Sequence, residues 1–320
     1  MKAAVIGENG LEIRDVPVPE PKANEVLVKV RAGALNRADL LMVAGGHGFS
    51  GGSVAGLEWS GEVVSVGAEV TGCSPGDRVM CSGNGGYAEY AVCDIARLSV
   101  IPANNMTFEQ AATLPIALIT MHNAIVTAGR LVAGETVLIQ GASSGVGLMA
   151  MQIAKEKGAK LVIGTSTNAE RRARLKEFGA DIALDSSDPN WADKVLEATD
   201  GTGVDLIIDQ VSGGVMNDNL KATRILGRIV NVGRLGGFSG DFNFDLHAFK
   251  RIDYIGVTFR TRSREEVREI VDAMRADLWE AVDAGRLHLP IDRTFSLDEA
   301  PMAQEHMRQN GHFGKIILTM

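Results

Sequence analysis

Residues 136–167 read TVLIQGASSGVGLMAMQIAKEKGAKLVIGTST. The apolar run VLIQ from Val137 predicts a strand, and the turn Gly141-Ala142-Ser143-Ser144-Gly145-Val146-Gly147 follows it directly. A helix comes next, in which Val146, Met149, Ala150 and Ile153 recur at i, i+3, i+4 and i+7, the spacing of a face packed on a sheet. KLVIG from Lys160 then predicts a second strand. In a strand, glycine turn, helix and strand of this kind, the glycines let the backbone approach a pyrophosphate. Its charge is met by unpaired N–H groups and the positive end of the helix. The spacing G-x-x-x-G-x-G departs from G-x-G-x-x-G, so alone it is also compatible with a plain strand-to-helix turn. The flanking elements favour the dinucleotide reading.

About 20 residues beyond the glycine turn, a unit selective for NAD carries an acid on the ribose 2′-hydroxyl. Thr165, Ser166, Thr167 and Asn168 stand there instead. The first acid, Glu170, is accounted for by a capping box from Thr167. Arg171, Arg172 and Arg174 follow. A guanidinium beside two hydroxyls suits a 2′-phosphate, through charge-assisted hydrogen bonds, so NADPH is the expected cofactor. The alternative is an ordinary solvated helix that happens to carry arginines.

The remaining composition narrows the class. The chain has 320 residues, 45% apolar and 22% charged, which is enough for two globular domains and argues against disorder. A net charge of −8 without a basic tract disfavours nucleic acid and anionic lipid as partners. The N-terminus MKAAVIGENGLEI lacks a signal-peptide core, and no run is read as approaching the roughly 20 continuous apolar residues of a membrane span. A cytoplasmic protein is expected. Cys73, Cys81 and Cys93 lack the close pairing of zinc ligands, and the six His are scattered, so no metal is expected.

The first hundred residues are strand-like, with VLVKVRAGAL, SGEVVSVGAEV, DRVMCSG and YAEYAVC punctuated by Gly and Pro. From Phe108 the pattern turns helical, broken at Pro115 and closed by Gly129. Beyond it, VLIQ, KLVIG, DIALD at Asp181, DLIIDQ at Asp205, GRIVNVG at Gly227 and YIGVTF at Tyr254 predict six strands with helical crossovers. That is the pattern of a doubly wound parallel sheet. After Ser263 come a charged helix and a closing strand, KIILTM.

These pieces resemble the medium-chain dehydrogenase/reductase superfamily over essentially the full chain, and within it the zinc-independent quinone oxidoreductases. The matching segments are ALNRADLLMVAGGH from Ala34, AGLEWSGEVVSVGAEV from Ala55, GDRVM from Gly76, GGYAEYAV from Gly85, the GASSGVG turn, GVTFRTRS from Gly256 and GHFGKIIL from Gly311. NRADLL, GLE and TFRTRS lean toward the branch typified by the tumour-suppressor-inducible quinone oxidoreductase. The resemblance implies an α/β protein with a GroES-like β domain (residues 1–117 and 263–320) and a Rossmann NADPH-binding domain (residues 118–262), with a cleft for the nicotinamide.

Carried over by position, the resemblance puts Asn36 beside the nicotinamide, where zinc enzymes have a ligand Cys, and Leu57 in place of a ligand His. Glu58 is retained, with an internal salt bridge as its ordinary reading. Thr120 would approach the cofactor. Gly141, Ser144, Gly145, Val146 and Gly147 would hold the pyrophosphate, while Thr165, Ser166 and Arg171 would meet the 2′-phosphate end. Gly233, Arg234 and Phe259 match the nicotinamide side, and Lys315 matches a cofactor-side lysine. His47 stands where relatives often have a Tyr near the substrate, as a proton donor or an ordinary loop His. Ser186 replaces a Tyr that packs near the adenine in relatives.

Without a metal, an isolated carbonyl lacks the electrophile its reduction needs, whereas a conjugated acceptor spreads the incoming charge itself. The expected activity is NADPH-dependent reduction of quinones. The alternatives are reduction of an enone or enoyl-thioester double bond, or a non-catalytic NADPH-binding role in structure or sensing. Tyr254 to Arg260 reads as the last strand of the Rossmann sheet, whose open edge relatives cover by pairing with a second copy, so a homodimer is expected.

Overall fold

The computed structural model describes residues 1–45 and 51–320. The chain divides into two compact units, one made of Ala117–Thr261 and the other of Met1–Ile116 with Arg262–Met320.

The Ala117–Thr261 unit is built on six parallel strands. Across the sheet they run Ile182–Leu184, Leu161–Thr165, Thr136–Ile139, Val204–Asp209, Thr223–Asn231 and Asp253–Gly256. In chain order this is 3-2-1-4-5-6, the dinucleotide-binding arrangement, so all six expected strands lie in one doubly wound sheet. Leu138, Ile163, Ile207 and Ile229 are fully buried on its core face. The order reverses between Thr136–Ile139 and Val204–Asp209, and a crevice opens at the carboxyl ends of strands at such a point.

The helix after the first strand is Gly145–Glu156, and it is buried nearly all round rather than on one stripe. It is enclosed by the strands Thr136–Ile139 and Leu161–Thr165, the π-helical stretch Asn123–Ala128 and the turn Leu175–Phe178. Val146, expected on the packed face, is half-exposed at its first turn. The sixth strand is also shorter than Tyr254–Arg260. It spans Asp253–Gly256, and its last ladder bond runs from Val257 N to Asn231 O at 3.1 Å. Its neighbour ends at Asn231, where Val232 and Gly233 turn to donate to Asp209 O at 2.8 and 3.2 Å, so the ladder between the two strands stops before Thr258–Arg260.

The stretch Phe108–Ala128 forms successive helical pieces, with Pro115 at the start of the second. By length and composition it could cross a membrane, contrary to the reading of the sequence, yet 72% of its most apolar window is buried inside the protein.

The other unit contains a seven-stranded sheet. Ile291–Ser296, Lys315–Thr319, Glu25–Ala34, Glu58–Val66, Arg78–Ser82 and Leu98–Val100 lie side by side, and Tyr90–Asp94 pairs with Glu25–Ala34. Trp59, Val28, Val79 and Cys81 are fully buried against one another. The closing strand pairs antiparallel to Glu25–Ala34, with Ile317 opposite Ala34. Two residues further along, this register brings Lys315 opposite Asn36. On the other side of the same strand, Gly33 faces Trp59, which puts Glu58 beside Ala34, two residues before Asn36. Strand register, with the turn from Ala34 into the helix Arg37–Val43, brings sequence positions 36, 58 and 315 into one neighbourhood.

Candidate active site

Glu58 is fully buried, and its carboxylate is saturated from three directions. Oε1 accepts from the Lys315 ammonium in an ion pair and from Asn36 Nδ2 at 2.9 Å. Oε2 accepts from the Ile116 amide at 2.8 Å, one of the unpaired N–H groups at the start of the helix Pro115–His122. Burial pushes the Glu58 carboxyl above its ordinary range, against the opposing pull of Lys315, Ile116 and Asn36. Lys315 also donates to Asn36 Oδ1 at 3.0 Å. The Asn36 amide is thus oriented at both ends, oxygen toward the ammonium and nitrogen toward the carboxylate, while the residue itself stays half-exposed.

Leu57, half-buried beside Glu58, offers no ligand atom. Among the described residues no three His, Cys, Asp or Glu side chains come together as a metal would need. The three cysteines are buried free thiols. A catalytic zinc wants three protein ligands of that kind, and the residues at this place do not fit one.

In the other unit, the glycine turn follows its strand as the sequence reading has it. Gly141 has φ +68°, and a Cβ on Gly147 would lie 2.6 Å from Gly141 O, so both positions demand glycine. Ser144 caps the helix, its Oγ accepting from Gly147 N at 3.1 Å. A buried polar network braces the turn from behind, and the sequence reading missed it. Gln140 donates to Asn219 Oδ1 at 2.9 Å, and Asn219 donates to Asp209 Oδ2 at 3.1 Å. Gln210 donates to Gln140 O at 3.2 Å, and its Oε1 lies 2.9 Å from Ser144 Oγ. Burial raises the Asp209 carboxyl despite the Ser212 and Val211 amides and Asn219. The available signal was the polar ending of two apolar strands, VLIQ and DLIIDQ, at the point where the sheet order reverses.

Thr165 is fully buried and belongs to the same bracing. Its Oγ1 accepts from Gly141 N at 3.2 Å and donates to Gln140 Oε1 at 2.7 Å. Ser166 Oγ donates to Ser143 Oγ at 3.0 Å. The next helix, Ala169–Ala173, is capped by Asn168, which accepts from Arg171 N at 2.9 Å, so the cap falls one residue after Thr167 and the expected box from Thr167 to Glu170 does not form. Asn out-competes Thr at such a cap. Arg172 donates to Ser166 O at 2.8 Å and pairs with Asp185 at 3.1 Å, at the end of the neighbouring strand. That acid, invisible as a neighbour in the sequence, arrives with its own counter-charge. Arg171 is half-exposed.

Gly233 and Arg234 follow the strand Thr223–Asn231 directly, and a Cβ on Gly233 would lie 2.6 Å from Gln210 O. Phe259 lies just past the sixth strand and Thr120 on the helix Pro115–His122, both half-buried. Gly145 and Val146 open the helix whose N-terminus faces the turn. His47 lies outside the described residues. Lys315, expected on the cofactor side, is held by Glu58 and Asn36.

Known proteins share this architecture. Residues 22–103 match the family model described as alcohol dehydrogenase GroES-like domain, and residues 145–276 match that described as zinc-binding dehydrogenase. A quinone oxidoreductase of Rattus norvegicus is 31% identical over 316 residues, covering 96% of this chain and 92% of its own. The chain belongs to the medium-chain dehydrogenase/reductase superfamily of oxidoreductases. It is similar to the quinone oxidoreductases along nearly its whole length. A mycobacterial protein solved in complex with NADPH superposes with a TM-score of 0.89 at 26% identity, covering 100% of both chains. A phenolphthiocerol/phthiocerol polyketide synthase subunit of Mycobacterium tuberculosis is 30% identical over 315 residues, 98% of this chain and 14% of the synthase.

Breaking the buried pair from one side leaves a charge stranded. Lys315→Met is expected to cost about 3 to 5 kcal/mol of stability, and the double variant Lys315→Met/Glu58→Leu less than the single one. Urea denaturation of both variants checks the order.

Proposed function

We propose that this protein is an NADPH-dependent, zinc-independent reductase that transfers hydride to quinones. The observation that carries the reading is the Asn36–Glu58–Lys315 cluster. At the place where a zinc enzyme holds its metal, this chain has an amide locked by an internal ion pair. When bound, reduced nicotinamide supplies a hydride. A quinone spreads the incoming charge over its conjugated ring, so no strong electrophile is needed from the protein.

The protein's own work is binding and orientation. The N-terminus of the helix Gly145–Glu156, with Gly141, Ser144, Gly145, Val146 and Gly147, meets a pyrophosphate through main-chain N–H groups. Ser166 and Arg171 meet a 2′-phosphate, and Thr165 holds the turn in place from the interior. Asn36, Thr120, Gly233, Arg234 and Phe259 border the nicotinamide. Lys315 acts by orienting Asn36. Water or His47 delivers the proton that completes reduction. A cytoplasmic setting agrees with three free thiols. Reduction of an enone or enoyl-thioester is the second reading, favoured by the similarity to a polyketide synthase subunit, and the hydride chemistry is the same.

The cofactor reading predicts tighter binding of NADPH than of NADH. Arg171→Ala should weaken NADPH alone, by about 1 to 3 kcal/mol for one charge-assisted contact. Fluorescence titration measures both, and equal affinities in the unmutated protein would sink the assignment.

The substrate reading predicts that quinones accelerate NADPH oxidation and that chelators leave the rate intact. Faster turnover with enones or acyl-thioesters selects the second reading. Firm NADPH binding with no oxidation by any acceptor selects the non-catalytic one.

A homodimer through the edge strand is the assembly we expect. Asp253–Gly256 has no partner on its outer side among the described strands, and Phe238, Phe244 and Tyr254 are exposed by 81%, 76% and 44% near it. Val257→Pro deletes the ladder donor to Asn231 and should yield monomer or insoluble protein. Sedimentation that finds the unmutated protein monomeric at micromolar concentration rejects the dimer.

A further inference from the structure

Beside the Asn36 main chain lies a second buried polar pair that the proposed chemistry leaves unused. Asp39 is 1% exposed and Tyr87 fully buried. Asp39 sits in the first turn of the helix Arg37–Val43, and its Oδ2 accepts from Asn36 N at 2.7 Å and from Tyr87 OH at 2.9 Å. The Tyr87 hydroxyl also lies 3.3 Å from Ala34 O. The other carboxyl oxygen, Oδ1, is buried with no hydrogen-bond partner. A buried acid satisfied on one oxygen only is costly in either protonation state. As a carboxylate it holds charge away from water, and as an acid it has a proton with no acceptor.

We propose that the Asp39–Tyr87 pair is a positioning element for Asn36, holding its main chain while Glu58 and Lys315 hold its amide, so that the protonation state of Asp39 sets how firmly Asn36 is placed. The proposal rests on the reading of Asn36 as a residue bordering the nicotinamide. The bond from Asn36 N to Asp39 is charge-assisted when Asp39 is ionised and becomes an ordinary neutral one when it is not.

The surroundings put this change within the working range. Burial pushes the Asp39 carboxyl up to about 7, against the Asn36 amide, the Tyr87 hydroxyl and Lys315, while Glu58 adds to the rise. On its own helix, Arg37 turns away to Met307 O at 3.2 Å and Asn310 Oδ1 at 2.7 Å. On the adjacent helix Ala300–Arg308, His306 is paired with Asp292 at 2.8 Å, and Arg308 with Glu305. Tyr87, Glu58 and Lys315 are therefore the groups that govern Asp39. The linkage has a definite sign. A carboxyl whose pKa is raised by folding favours the folded state when protonated, and that contribution is lost as pH rises through about 7.

The test reads Asn36 directly, without substrate or cofactor. In asparagine-labelled protein, the Asn36 backbone amide resonance, assigned by its loss in Asn36→Gln, is followed from about pH 5.5 to 8.5, a window centred on neutrality. It should titrate with a midpoint near neutrality in the unmutated protein and stay still in Asp39→Asn. In Tyr87→Phe, where the carboxylate loses a donor, the midpoint should move upward. A second arm uses turnover with quinone. Asp39→Ala should lower kcat by about ten- to a hundredfold with KM little changed. Asp39→Asn should flatten the neutral limb of the kcat profile. An Asn36 resonance that does not titrate, or that titrates equally in Asp39→Asn, overturns the proposal. Because the resonance needs no acceptor, absent quinone turnover refutes only the functional reading.

Discussion

The ion pair between Lys315 and Glu58 joins residues 257 positions apart. Both side chains are almost wholly buried, so neither charge is tolerable without the other. The consequence is positional. Lys315 reaches Glu58 only if the closing strand lies beside Glu25–Ala34 in its observed register. The pair therefore links the C-terminal strand to the sheet of the N-terminal segment and, in the same stroke, orients Asn36. A one-residue slip would turn Lys315 to the opposite face and leave Glu58 charged in an apolar interior.

A comparable logic governs the glycine turn. In the proposed reading its main chain stays open for a ligand, and the side chains that hold it act from the interior. Gln140, Thr165, Asn219, Asp209 and Gln210 form that support, all nearly or fully buried and bonded to one another. Such networks resist deformation only when they are complete, because an unpaired member would cost more than the network gains. The Asn36 cluster and the turn share a principle: a partly exposed group is fixed by buried partners.

Asp39 is incompletely satisfied, with one oxygen unpartnered. Unlike Glu58, which has an ammonium and two N–H donors, it has one amide and one hydroxyl. The two buried carboxyls thus differ in how many donors meet them, although burial raises both.

The alternation of apolar runs and helices after Val137 and the glycine turn were legible from local chemistry, and they determined the parallel sheet, while the missing acid after the second strand supports the proposal of NADPH. The place of Asn36 and Leu57 was legible only beside the resemblance, since nothing about an isolated Asn or Leu points to a metal site in relatives. The partner of Glu58, the bracing of the turn by Gln140 and Gln210, and the counter-charge that Arg172 gives Asp185 were not legible. Each depends on which strands lie side by side, and a strand's own sequence specifies its two faces but not its neighbours. The early end of the sixth strand belongs to the same group, because a ladder stops where its partner turns away. Propensity and pattern are local and therefore readable along the chain. Register and burial are properties of the assembled sheet, and they alone decided which polar groups meet.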